Sequence, residues 1–234
     1  MTTDLEPLLA SLRHAGLELA ARFDARDYNE RHPECALPLP AGRESGALAV
    51  VIGNTRSLWA PFLTAFHAAV PGSRLASTAH PVDDYVEIAI TSALAGLAES
   101  VTVHLASTPP PHHVAIVTAA ELSGLAFRAP SHLAVHPDHG PWIGLRAVLV
   151  FDRPPPPVPT PAPACTGCAT GCTPAFEVAR AALGATVTAA AVQNRWHDWV
   201  AVRDACPLGR ASRYSDDQIA YHYTHDRRYL RSGG

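Results

Sequence analysis

Apolar residues recur near the N-terminus at Leu5, Leu8, Leu9, Leu12, Leu17 and Leu19, a spacing that predicts an amphipathic helix over residues 5–22. A short apolar run at 47–52 reads as a buried strand ending at Gly53-Asn54-Thr55. Residues 57–70 then read as a helix with Pro61 in its first turn. A second helix opens at His80-Pro81-Val82-Asp83, with Val82, Val86, Ala89, Ile90, Ala93 and Leu97 at helical spacing. Residues 101–106 alternate as a strand, and Pro109-Pro-Pro111 breaks the chain before a helix over 114–127. Two more strand-like runs, 133–136 and 142–151, flank Pro137-Asp-His-Gly140, whose turn residues predict a hairpin. Residues 152–164 contain seven prolines and read as a stiff, extended connector. An Ala-rich helix follows over 175–191, and Ser215-x-x-Gln218 has the capping-box spacing of a last helix.

These elements predict an α+β fold, a mixed sheet with flanking helices and a cysteine-bearing C-terminal extension. The expected organisation is a core over 1–151, the proline-rich connector over 152–164, and a cysteine, arginine, tryptophan and tyrosine segment over 165–234 that packs back on the core. With 47% hydrophobic and 17% charged residues in 234, the chain reads as globular and soluble. A net charge of -3 argues against nucleic acid as a partner. No apolar run approaches the ~20 residues that span a bilayer, so no membrane partner is expected. The N-terminal residues lack the basic and apolar regions of a secretion signal, which points to the cytoplasm. All 18 basic side chains are arginine, which excludes a lysine Schiff base and a Walker-type phosphate-binding lysine.

Five cysteines in a chain without a secretion pattern favour metal or redox chemistry over a disulfide framework. Cys35, alone before Pro38, reads as an ordinary buried thiol. The other four form Cys165-x-x-Cys168-x-x-x-Cys172 and a distant Cys206-Pro207. Three close cysteines plus a Cys-Pro is a common supply of thiolates to a cubane, although the second gap is one residue longer than usual. The same four thiolates suit a single zinc, and a loop without metal is the third alternative. Among the histidines, His112-His113, His136 and His139 show no metalloprotease spacing, and no Gly-x-Ser-x-Gly or dinucleotide fingerprint is present. His136 and His197 carry more weight because of their neighbours. Asp83-Asp84 complements a helix dipole. Arg146 lies inside the apolar strand Gly144-Leu-Arg-Ala-Val-Leu-Val150 and must find an anion or carboxylate partner there. Arg203-Asp204 reads either as a salt-bridged pair or, through Arg203, as part of a set with Arg146 and one of Arg227 and Arg228 that binds carboxylates.

Several blocks occur together in order: Cys35-Ala-Leu-Pro-Leu-Pro40, Leu58-Trp-Ala-Pro-Phe-Leu63, His80-Pro-Val-Asp-Asp84 and Thr118-Ala-Ala-Glu-Leu-Ser-Gly124. They continue through Ser131 to Val150, with His136-Pro137 and Gly140-Pro-Trp-Ile-Gly-Leu-Arg146. The most specific are Trp196-His-Asp-Trp199, Arg203-Asp-Ala205 and Arg213-Tyr-Ser-x-x-Gln-x-Ala-Tyr221. In these blocks the chain resembles the cobalamin-processing family of methylmalonic aciduria and homocystinuria type C, whose fold is related to flavin-dependent nitroreductases. The resemblance implies a nitroreductase-like core that binds cobalamin base-off and removes its upper axial ligand, by reductive decyanation or by thiolate attack on an alkyl group. It implies that Ser131, His132, Leu133 and Leu145 line the corrinoid cavity. Arg146, Arg203 and Arg228 would hold the carboxylates of glutathione or another thiol.

The chain departs from the family in two places. His132 stands where the family often has glycine, and the animal members lack the cysteine cluster. That cluster resembles the ferredoxin-like region of epoxyqueuosine reductases, relatives that combine cobalamin with two iron–sulfur clusters. With four ligands, Cys165, Cys168, Cys172 and Cys206, this chain has enough for a single [4Fe–4S] cluster, from which an electron would pass to cobalt. The implied partners are cobalamin, a thiol, a reductase and a second copy of the chain; the use of flavin is left open. Besides a processing protein, the sequence admits a cobalamin- and cluster-dependent reductase and a non-catalytic corrinoid carrier.

Overall fold

In a computed structural model the chain is described over residues 5–184 and 188–231. Its elements run in the order α1 (Glu6–His14), β1 (Leu19–Asp24), α2 (Ala25–Arg31), β2 (Leu48–Asn54), α3 (Trp59–Ala68), α4 (Arg74–Ser77), α5 (Pro81–Leu94), β3 (Val101–Leu105) and α6 (Ile116–Leu122). There follow β4 (Phe127–Arg128), β5 (Ala134–Val135), β6 (Gly144–Phe151), α7 (Cys172–Ala181), α8 (Ala189–Asn194), α9 (Trp196–Asp204) and α10 (Asp216–Thr224). None of the described helices is long and apolar enough to cross a membrane. The chain divides into two compact units, Met1–Ala126 with Gly144–Pro161, and Phe127–Ile143 with Ala162–Gly234. Residues 127–143, read from sequence as part of the core, thus cluster with the cysteine-bearing segment.

The first unit is built on a four-stranded sheet of order β1-β2-β6-β3, antiparallel at every pairing. Its two central strands carry the apolar runs. Every residue of β2 is buried, as is β6 from Ala147 to Phe151. Such continuous burial is what a strand covered on both faces requires. Helix α6 packs on β1, β2 and β6, while α5 packs against α1, α3 and α4. The Tyr85 hydroxyl donates to the Ala15 carbonyl at 3.0 Å, tying α5 to the end of α1. Helix α1 stops at His14, well short of the predicted residue 22, because Gly16 takes φ +80°. There the Leu17 N–H closes onto the Leu12 carbonyl at 2.8 Å, a left-handed C-terminal turn for which glycine is suited. Leu19, which fits the helical pattern, instead begins β1.

The predicted hairpin between 133–136 and 142–151 is not formed. β5 pairs with β4, through Phe127 opposite Val135 and Arg128 opposite Ala134, and β6 joins the large sheet. Its long apolar run is worth more buried between β2 and β3 than beside a two-residue strand. The turn residues still act as predicted, with His136 and Gly140 forming an isolated bridge. In the second unit α9 packs against α7, α8 and α10. α10 begins as its capping pattern predicts, with Ser215 Oγ accepting the Gln218 N–H at 3.2 Å. The predicted helix over 175–191 becomes α7 and α8; residues 185–187 lie outside the described residues.

Candidate functional site

The second unit brings the four paired-motif cysteines together. Cys168, Cys172 and Cys206 are buried in one cluster with Ala129, Val135, Ala179 and Val202, and Cys165 packs against it. The intervening segment folds back, so that the residues separated most in sequence become neighbours. Gly171 makes this approach possible: a Cβ there would lie 2.7 Å from the Ala205 carbonyl oxygen, beside Cys206. All four thiols are free. Burial, reinforced by Cys172 and Cys165, pushes the Cys168 thiol up to about 12. Burial also raises Cys206. Without a cation these groups are thiols, and binding one must release their protons.

Their spacing bears on what they could hold. Among the described residues, no three of the four sulfurs lie within 4.8 Å of one another. A zinc bound at about 2.3 Å draws its four sulfurs to roughly 3.8 Å separations. A cubane, ligated at separate irons, takes four thiolates farther apart. Cys168 interacts directly with both Cys172 and Cys165, so the four thiols can supply the donor set of either centre.

The loop expected to line a corrinoid cavity lies against this centre. Leu133 packs on the cysteine cluster, and the His132 ring sits 5.5 Å from that of Phe176, which packs on the same cluster. His132 adopts φ 62°, a left-handed conformation that costs a residue with a Cβ. Ser131 is buried, and its Oγ has no hydrogen-bond partner among the described residues. The same holds for Nε1 of Trp199, whose ring packs on the cluster, and for Oγ1 of Thr173. Buried polar atoms of this kind normally have partners, so an unpaired hydroxyl at Ser131 is what a polar ligand edge would satisfy.

Arg203 lies in a separate cluster of the same unit. Its guanidinium sits 5.7 Å over the buried Trp142 ring, donates from Nε to the Tyr223 hydroxyl at 3.1 Å, and from NH1 to the Pro141 carbonyl at 2.6 Å. The Arg203–Asp204 pair read from sequence is not made; Asp204 takes Arg213 instead, at 2.9 Å. Arg228 is exposed, with Asp226 at 3.2 Å and the Tyr229 hydroxyl at 2.8 Å. His136 Nδ1 accepts the Asp138 and His139 N–H groups at 3.1 and 3.3 Å, and burial lowers its basicity. It is a turn-forming residue. His197 stacks on Trp196 at 3.6 Å.

In the first unit Arg146 occupies a β-bulge. β2 pairs Ile52 with Ala147 and Gly53 with Leu145, leaving Arg146 unopposed on that side. Bulges re-aim a side chain. Here the Arg146 Nε donates to buried Asn54 Oδ1 at 2.7 Å, and NH1 stands 3.8 Å from Asp83. Asn54 and Asp83 are partners that sequence reasoning missed, since Asn54 read as a strand end and Asp83 as a dipole-complementing residue. Leu145 is half-buried beside the bulge.

Compared with known structures, the chain is similar to the C. elegans B12-trafficking protein CblC, a homologue of human MMACHC. The two share 18% identity and a TM-score of 0.69 over 97% of this chain and 93% of that one. The Bacillus subtilis epoxyqueuosine reductase matches at TM-score 0.52 and 15% identity, over 89% of this chain and 66% of the reductase. An epoxyqueuosine reductase crystallised with an epoxyqueuosine-modified tRNA-Tyr stem loop matches at 0.51 and 13%, over 90% and 66%. No family model matches the sequence, and no curated protein does. At these identities the likeness establishes the fold, an α+β architecture of the CblC kind.

Proposed function

We propose that the protein binds cobalamin base-off and removes its upper axial ligand, by thiol-dependent dealkylation or by reductive decyanation. The observation that carries this reading is the placement of Leu133, and of His132 through Phe176, against the four-cysteine centre, in a chain that shares its fold with CblC along nearly its whole length. Ser131 offers its unpaired hydroxyl to the corrin's polar edge, and Leu133 offers apolar surface. Arg146 of the first unit, and Arg203 and Arg228 of the second, are each offered as a carboxylate-binding group for glutathione or a similar thiol. The loose contact of Arg146 with Asp83, at 3.8 Å, is one that a ligand carboxylate can replace.

In dealkylation the thiolate sulfur forms a bond to the alkyl carbon, the thiol proton goes to solvent, and the cobalt–carbon electron pair stays on cobalt. In decyanation an electron from a reductase partner goes to cobalt, and cyanide leaves with its pair. The chain's part is to hold the corrin, exclude water and position the thiol. A [4Fe–4S] cluster on Cys165, Cys168, Cys172 and Cys206 supplies one-electron reduction when bound.

That centre also favours a second reading, a cobalamin- and cluster-dependent reductase acting on a separate organic substrate. Anaerobic titration with cyanocobalamin tests the first reading. A red-to-yellow base-off shift is expected, followed by ligand loss on adding glutathione or a reductant. No shift at saturating protein sinks both readings. A shift without ligand loss leaves a carrier in place of a processing protein.

A further inference from the structure

The four-cysteine centre is not the only set of metal-compatible side chains. At the end of α2, a short 3-10 turn, Pro33–Cys35, follows His32. The tight turn gathers one ligand atom each from His32, Glu34 and Cys35 within 4.8 Å of one another. His32 Nδ1 is 2.8 Å from Glu34 Oε1, and Cys35 Sγ is 3.9 Å from the same oxygen. The surroundings suit ligation. His32 Nε2 is held by Thr118 Oγ1 at 2.9 Å, the outer hydrogen bond that fixes a metal-binding imidazole. Buried Cys35 lies 3.3 Å from the Tyr28 hydroxyl, whose oxygen already accepts the Ala115 N–H at 2.7 Å.

We propose that His32, Glu34 and Cys35 form a divalent-metal site distinct from the four-cysteine centre and suited to a borderline cation such as zinc. One nitrogen, one oxygen and one sulfur donor match zinc's tetrahedral preferences and disfavour magnesium or calcium, which take oxygen sets. The fourth position falls to water. Glu34 faces solvent while Cys35 is buried, so the ion enters past the carboxylate and displaces the Cys35 proton to water. The site does not depend on the cobalamin reading.

The test uses the full chain with its four-cysteine centre already loaded, titrated anaerobically with Co²⁺ in place of zinc. One further equivalent is expected, with thiolate-to-cobalt absorption that added Zn²⁺ abolishes. Cys35→Ser should eliminate that absorption. Glu34→Gln, at an exposed position that the fold tolerates, should weaken cobalt binding at least about tenfold, with an unchanged circular dichroism spectrum. Absence of the further equivalent overturns the proposal. So does absorption that persists in Cys35→Ser, or wild-type affinity in Glu34→Gln.

Discussion

In the first unit the interior is made by β2 and β6, where Ala49, Val51, Ile52 and every residue from Ala147 to Phe151 are fully shielded. In the second, three of the seven residues that form one buried cluster are cysteines, and a fourth cysteine packs against it. A sheet lined by branched and aromatic side chains gains its stability from area removed from water. Four thiols brought together gain from a shared cation when one is bound, in addition to the Leu133, Phe176 and Trp199 side chains packed on them. On the proposed reading the two units draw on different sources of order, and they should fail under different treatments.

Removing the proposed metal centre is the strongest way to separate them. Anaerobic chelation should withdraw on the order of 10 kcal/mol of binding free energy from the second unit, by analogy with structural metal sites. Hydrogen exchange should then show lost protection over 127–143 and 162–184 while the four-stranded sheet keeps its own. Equal deprotection of both units would mean that the sheet also relies on the centre. The converse perturbation is Phe151→Ala, at a fully shielded position in β6. It should cost about 3–5 kcal/mol in urea unfolding, with protection lost first from the sheet.

The same contrast governs what could be read from sequence. β2, β3, α5 and β6 follow local periodicity, and the elements lie where that pattern predicts. Gly16 ends α1 through a backbone conformation, which a hydrophobic pattern does not encode. The fate of β6 rests on competition between a near partner, β5, and distant ones, β2 and β3, and sequence proximity favoured the wrong one. At the site, the four cysteines were legible because their residue type has few uses. Asn54 and Asp83 were not, since their meeting with Arg146 depends on a bulge between Ile52 and Gly53. The grouping of His32, Glu34 and Cys35 is not legible either, because it depends on the 3-10 turn Pro33–Cys35 that gathers the three.

The arginines sharpen the comparison at the level of function. Arg146→Ala should lower thiol-dependent turnover by roughly 10–100-fold, the worth of a charged hydrogen-bonded contact of about 1.5–3 kcal/mol. Cobalamin affinity should be unchanged, because the contact belongs to the thiol. Parallel measurements of the base-off shift and of turnover decide the matter, and equal loss of both would remove Arg146 from its assigned role. The substitution leaves buried Asn54 Oδ1 without its donor, so a Lys variant that restores a donor but not the fork should recover stability before turnover.

The smallest effect concerns His132, where two opposing contributions of similar size can be resolved by two variants. Its φ of 62° strains any residue with a Cβ, by about 1–2 kcal/mol. Its ring contact with Phe176 at 5.5 Å returns about 0.5–1.5 kcal/mol. His132→Gly relieves the strain, loses the contact and adds about 0.5–1 kcal/mol of unfolded-chain entropy. The net change should fall within about 1 kcal/mol of zero. His132→Ala loses the contact and keeps the strain, so it should be the less stable of the two by several tenths of a kcal/mol or more, as thermal unfolding of the loaded protein would measure. If alanine equals glycine, the left-handed backbone is not what this position demands. If alanine is worse and cobalamin affinity nonetheless holds in both, the loop's conformation rather than the imidazole shapes the surface beside the cysteine centre.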